Sequence, residues 1–97
     1  MAFLTLARIS GDPAALAARY EESANVMDGV GRDHGLILHA AASTPAGLLM
    51  VNLWPAESGS LAAARDPRRL GVVRRHGLDA DRIRKEHHDV LRYVVFR

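Results

Sequence analysis

His39 stands alone in an aliphatic run that extends from Leu36 to Ala42. A neutral imidazole in such surroundings could act as a general base or hydrogen-bond a substrate. The alternative is a core histidine satisfied by nearby backbone or by an Asn side chain. Asn52 and Trp54 are two residues apart, so on an extended strand they share a face. An amide and an indole wall there could orient a planar anion; otherwise the Trp seals the end of a core and the Asn bonds locally. These three are the candidate catalytic residues. Arg8 and Arg92 could clamp a carboxylate or phenolate, or pair with acids across an interface. His88 joins them as a candidate substrate-binding residue. Adjacent His87 and His88 point to opposite sides of a strand, which leaves Glu86, His88 and the distant His34 as a metal set without a ligand spacing, and no metal is assigned.

Other chemistries find less support. There are no cysteines, so disulfides, thiolate metal sites and cysteine nucleophiles are excluded. The serines show no nucleophile-elbow pattern. Gly29, Gly31 and Gly35 punctuate a loop that follows a helix and precedes a strand, the reverse of the order in phosphate loops. Arg65, Arg68, Arg69, Arg74 and Arg75 read as a solvated helix face.

The elements that would position these residues follow from punctuation and periodicity. Phe3 to Ile9 reads as a strand. Asp12 then caps a helix over about 13–29, with Pro13 in its first turn and Leu16, Tyr20, Ala24 and Met27 on one face. Strands over 36–43 and 48–54 flank the turn residues Thr44-Pro45-Ala46-Gly47, so this region reads as a hairpin. An alanine-rich helix over 57–65 follows, and Asp66-Pro67 repeats the cap-plus-proline signal before a second helical piece over 67–76. Asp79 could cap one more short turn over 80–86. His88 to Phe96 is the expected last strand. The order is βαββαβ: an α+β, ferredoxin-like single domain over residues 1–97, with both helical regions on one face of a four-stranded antiparallel sheet.

An uncovered sheet face should alternate polar residues with apolar ones, yet both parity sets of every strand are apolar-rich. A monomer rarely exposes so large an apolar surface. The chain has 97 residues, of which 48% are hydrophobic and 25% charged. A chain of that length buries only roughly two-thirds of its unfolded surface. A homodimer packed sheet against sheet through the open face is therefore expected. Alternation alone would gather Arg8, His39, Asn52 with Trp54, and Arg92 into a polar cluster within an apolar surround, suited to a small apolar or aromatic ligand.

The net charge is +2 but uneven: residues 1–48 carry three basic and five acidic groups, residues 49–97 ten and six. No continuous basic stripe or binding motif supports a nucleic-acid partner. No signal peptide and no apolar run of about 18 residues is present, so a cytoplasmic location without a membrane partner is expected.

The element order, the Gly35–Trp54 hairpin ending in Asn-Leu-Trp-Pro, the Asp66-Pro67-Arg68 break and the Glu86-His87-His88 segment resemble the dimeric α+β barrel superfamily, which includes antibiotic-biosynthesis monooxygenases. A GRDHGLILHAAA stretch is similar to that of uncharacterised bacterial members. The resemblance implies a dimer whose two sheets form a barrel, with a pocket in each protomer between helices and sheet. It implies either cofactor-independent oxygenase chemistry on an aromatic or polyketide-like molecule or ligand binding without chemistry; a purely structural dimerisation role is the third reading. Cofactor-free members use an Asn, a Trp and nearby His or Arg to hold an oxidisable anion, residue types that Asn52, Trp54, His39 and Arg92 supply. Haem-degrading members place an Asn on the first strand; this chain has Thr5 and Arg8 there, which argues against haem ligation by His76. No cofactor is expected.

Overall fold

The computed structural model describes residues 1–77 and 82–96. Its order is β1 (Phe3–Ser10), α1 (Pro13–Asp33), β2 (Leu38–Thr44), β3 (Gly47–Trp54), α2 (Glu57–Ala64), α3 (Pro67–Arg75) and β4 (Ile83–Asp89). The strands form one antiparallel sheet in the order β2-β3-β1-β4, the split βαβ arrangement expected from the sequence.

Both cap-plus-proline signals act as read. Asp12 accepts from the Ala15 N–H at 2.9 Å and opens α1, and Asp66 accepts from the Arg68 N–H at 2.9 Å and opens α3. α1 runs to Asp33, past Gly29 and Gly31, which the sequence placed in a loop. Gly31 is there for space rather than for a turn: a Cβ on it would lie 2.7 Å from Leu36 Cδ2. Gly47, with φ of 151°, brings the hairpin against the end of β1, where any Cβ would overlap the Ile9 carbonyl oxygen.

The last strand is not where its hydrophobicity placed it. β4 is the polar segment Ile-Arg-Lys-Glu-His-His-Asp, and the apolar run from Val90 to Phe96 has no regular structure. Register explains this. β4 pairs antiparallel with β1 from Ile9↔Ile83 to Phe3↔Asp89, and Val90 N–H still donates to Ala2 O at 2.8 Å. The described pairing with β1 ends there. A polar, charged strand also suits an edge position, where it blunts pairing with other chains. The short helical turn expected over 80–86 is replaced by strand from Ile83; its residues Ala80 and Asp81, and the candidate cap Asp79, lie outside the described residues.

Register also sorts the sheet faces. Phe3, Thr5, Ala7 and Ile9 share one face with Leu48, Met50, Asn52 and Trp54, with His39 and Ala41, and with Ile83, Lys85 and His87. This face meets the helices. One core cluster joins Phe3 and Trp54 to Val30 and Ala63; a second joins Ile9 and Leu48 to Leu16. The opposite face carries Leu4, Leu6, Arg8, Leu38, Ala40, Leu49, Val51, Glu86 and His88. Arg8 therefore does not join His39 and Asn52, and Arg92 follows the end of β4 on the exposed segment. The single polar face drawn from alternation is corrected on both counts: β1 presents Thr5, not Arg8, beside Asn52, and the last strand ends before Arg92.

Candidate functional site

The space between the two core clusters is a cavity of about 270 Å³, bounded by α1, α2, α3 and the helix-facing side of the sheet. That is just below the range of about 300–1,000 Å³ usual for small-molecule sites. Most of the wall is aliphatic, from residues such as Ile9, Leu16, Leu48, Met50 and Val72.

β2 and β3 pair His39 directly with Asn52, and α1 lays Tyr20 over them. His39 Nδ1 lies 2.6 Å from Asn52 Oδ1, and His39 Nε2 lies 2.7 Å from the Tyr20 hydroxyl. An amide oxygen only accepts, so the Nδ1–H donates to it and Nε2 carries the lone pair. The Tyr20 O–H then donates to Nε2. The two rings stack, with centroids 5.8 Å apart and planes 24° apart. Burial, reinforced by the carboxylates of Asp28 and Glu21, pushes the Tyr20 phenol above its ordinary value, so it stays protonated at neutral pH. Tyr20, His39 and Asn52 thus form a half-buried hydrogen-bonded chain on the cavity wall.

Trp54 also lines the cavity. It is 5% exposed, and its buried Nε1–H has no hydrogen-bond partner among the described residues. An unpaired buried donor costs about 1–3 kcal/mol. Gly59 permits the packing of the indole, since a Cβ there would lie 3.2 Å from the Trp54 ring.

The other candidates lie elsewhere. Arg8 is exposed on the opposite face, where register sets it between Leu49 and Arg84. Arg92 is exposed beyond β4. His88 is on Arg8's face, 3.5 Å from Glu86 and largely solvated. His34 is distant from both: it bonds Asp66 at 3.0 Å, where Arg68 also binds. Those hydrogen bonds, Arg68's first and His34's next, hold the Asp66 carboxyl well below the usual carboxylate range. That cluster ties the end of α1 to the break between α2 and α3. Among the described residues no three His, Asp or Glu side chains gather to hold a metal ion.

Sequence reasoning missed Tyr20, His87, Arg69 and Lys85 as cavity residues, and considered His76, which also lines the cavity, only in arguing against haem. Tyr20 was visible as the one hydroxyl in the apolar stripe of α1; a phenol so placed needs a partner. The β4 residues were hidden by the misplaced last strand.

No family model and no curated protein matches the chain. Solved structures do. Rv0793 from Mycobacterium tuberculosis is similar with a TM-score of 0.76 and 12% identity, covering 98% of this chain and 100% of that one. A dimeric ferredoxin-like protein of unknown function from Jannaschia sp. CCS1 gives 0.74 and 15%, covering 93% and 100%. SnoaB, a cofactor-independent oxygenase from Streptomyces nogalater, gives 0.66 and 13%, covering 96% and 94%. The chain has the ferredoxin-like fold that these structures share with antibiotic-biosynthesis monooxygenases.

Proposed function

We propose that the protein is a cofactor-independent, monooxygenase-like enzyme acting on a small phenolic aromatic or polyketide-like molecule, working as a cytoplasmic homodimer. The observation that carries this reading is the Tyr20–His39–Asn52 chain set in an apolar cavity that Trp54, with its unpartnered N–H, also lines. In this reading the substrate gives a proton to the Tyr20 oxygen as Tyr20 passes its own to His39 Nε2. The imidazolium keeps its Nδ1–H on Asn52. The Trp54 N–H faces the oxyanion left on the substrate, and its low-dielectric surroundings strengthen that contact. The deprotonated ring carbon is electron-rich enough to reduce O₂. A C–O bond forms, the resulting peroxide breaks its O–O bond, and the products are a ketone and water.

The homodimer is supported by the apolar open face and by the Jannaschia protein, which is described as dimeric. Among the described residues no helix is long and apolar enough to cross a membrane. The test is aerobic incubation with anthrone and 2-naphthol, following O₂ uptake and the quinonoid absorbance. Turnover by the wild type and its loss in His39→Ala and Asn52→Ala, both still dimeric, supports the enzyme. Ligand binding without O₂ uptake supports a binding module instead.

A further inference from the structure

The cavity has two unlike ends. The row His39, Asn52, Thr5, His87 crosses the sheet from β2 to β4, and Lys85 follows His87 on the same face of β4. Lys85 and His39 thus lie on opposite edge strands, three strand spacings or about 14 Å apart. The His39 end is made of hydrogen-bonding groups without formal charge, with α1 adding one acid, Asp28, and one base, Arg19, at its rim. The other charged side chains that line the cavity among the described residues are both basic: Arg69 from α3 and Lys85 from β4.

Arg69 and Lys85 have no carboxylate partner among the described residues; Arg69 donates to the Ala64 carbonyl oxygen at 3.1 Å. Lys85 is exposed as a residue, but partial burial of its side chain, and then the Arg69 charge, push its ammonium below its ordinary value. Both side chains line the same cavity, Lys85 exposed at its mouth and Arg69 half-buried, so an anion there would relieve the repulsion between them. Most of the wall between the two ends is apolar, with Thr5, Ser60 and His87 as polar exceptions.

We propose that Lys85 and Arg69 form an anion-binding subsite, so that the ligand is an elongated aromatic with a phenol at one end and a carboxylate at the other. This rests on the proposed cavity function and names its substrate class. The phenol meets Tyr20, His39 and Trp54; the ring system fills the space over Ala7 and Met50; the carboxylate reaches the ammonium and guanidinium. Arg69 offers paired donors to a planar carboxylate, and Lys85 a point charge.

The experiment is calorimetric titration of the whole protein with 6-hydroxy-2-naphthoate and with its methyl ester. The wild type should bind the acid about tenfold more tightly than the ester. Lys85→Met should reduce that ratio to near unity without weakening the ester, and Lys85→Arg should retain it. Arg69→Gln should act in the same direction, with a melting curve checking that the α2–α3 break survives loss of the Ala64 contact. His39→Ala should keep the preference for the acid while losing turnover. Equal binding of acid and ester by the wild type overturns the subsite and leaves the cavity reading standing. No binding of either compound, together with no O₂ uptake on anthrone or 2-naphthol, overturns both.

Discussion

The two faces of the sheet carry similar amounts of apolar surface but use their polar residues differently. On the helix-covered face the polar groups are paired with each other or line the cavity: His39 with Asn52 and Tyr20, and Lys85 near Arg69. On the open face they stand at the margins, with Arg8 near the end of β1 and Glu86 and His88 on the edge strand β4, while Leu6, Leu49 and Val51 occupy its middle. A polar group enclosed between core clusters must be satisfied or used. One at the margin of an uncovered face is solvated and can be replaced. The first face is thus suited to chemistry and the second to association.

The exposed segment after β4 belongs to the second face's problem. Leu91 is 98% exposed and Phe96 90% exposed, while Leu38 on the open face is 45% exposed. An isolated chain leaves all of this in water, an arrangement monomers rarely show. The largest expected effect follows. Val51→Arg, in the middle of the open face, should convert the proposed dimer of 10.6 kDa chains into monomer. Sedimentation velocity at micromolar concentration checks this, with dimer affinity weakened by more than a hundredfold as the criterion, since a charge buried without a partner costs several kcal/mol. A wild type that sediments as monomer breaks the contrast between the faces at its root.

The helix-covered face should answer differently. His39→Ala removes the acceptor for Tyr20 and the donor for Asn52, so turnover should fall by about 10²–10⁴-fold while the dimer persists. Stability should drop by only about 1–3 kcal/mol, the cost of leaving half-buried polar groups unpaired. Stopped-flow O₂ consumption and urea melts on the same preparation separate the two. Tyr20→Phe should reproduce the kinetic loss if the phenol is in the proton path, and should leave turnover intact if His39 acts alone.

Trp54→Phe is a subtler cut. It deletes an N–H that has no partner among the described residues, so nothing is lost there in the free protein. The smaller ring leaves a void, and about 1–2 kcal/mol of stability should go. Affinity for phenolates should fall by about tenfold, the worth of one hydrogen bond to a charged acceptor. A phenolate affinity unchanged within twofold, measured by calorimetry, would mean that the indole only seals the core.

How much of this was legible beforehand depends on how local the signal was. The two Asp-Pro starts were legible because capping is decided within a few residues. The pairing of His39 with the Asn52–Trp54 face was half legible: residue types drew attention to them, but adjacency depends on hairpin register, which Gly47 and the two-residue turn set. β4 was not legible. The sequence offers a polar heptad and then an apolar one, and hydrophobicity selects the second; the structure pairs the first with β1, from Ile9↔Ile83 to Phe3↔Asp89. With β4 misplaced by several residues, Lys85 and His87 were invisible as cavity residues, and Arg92 seemed to belong to a strand.

The Asp66 cluster tests the edge of the covered face. Its carboxylate is held in the charged form by Arg68 and His34, so its folded-state value lies below the unfolded one of 3.8. A lowered carboxylate stabilises the fold fully above the unfolded value and loses that contribution as pH falls towards the folded one. Asp66→Asn should therefore lower the melting temperature at pH 7 and flatten its fall below about pH 4. Thermal melts between pH 2 and 7 check this, and an unchanged acid limb would mean that the cluster does not couple α1 to α3.

The smallest effects should come from the residues that drew attention by type but lie outside the cavity. Arg8→Ala, Arg92→Ala and His88→Ala remove groups that are exposed in the chain, and His88's contact with Glu86 is a solvated pair at 3.5 Å. Such pairs are worth about 0–1 kcal/mol and are screened by salt. Turnover should stay within about twofold of wild type for all three, and urea midpoints should shift by no more than about 0.5 kcal/mol in equivalent stability. Arg8 is the informative one, because it lies on the face assigned to association. If Arg8→Ala abolishes turnover while the dimer persists, the partner's open face reaches a site that the single chain does not enclose, and the division of labour between the two faces is wrong.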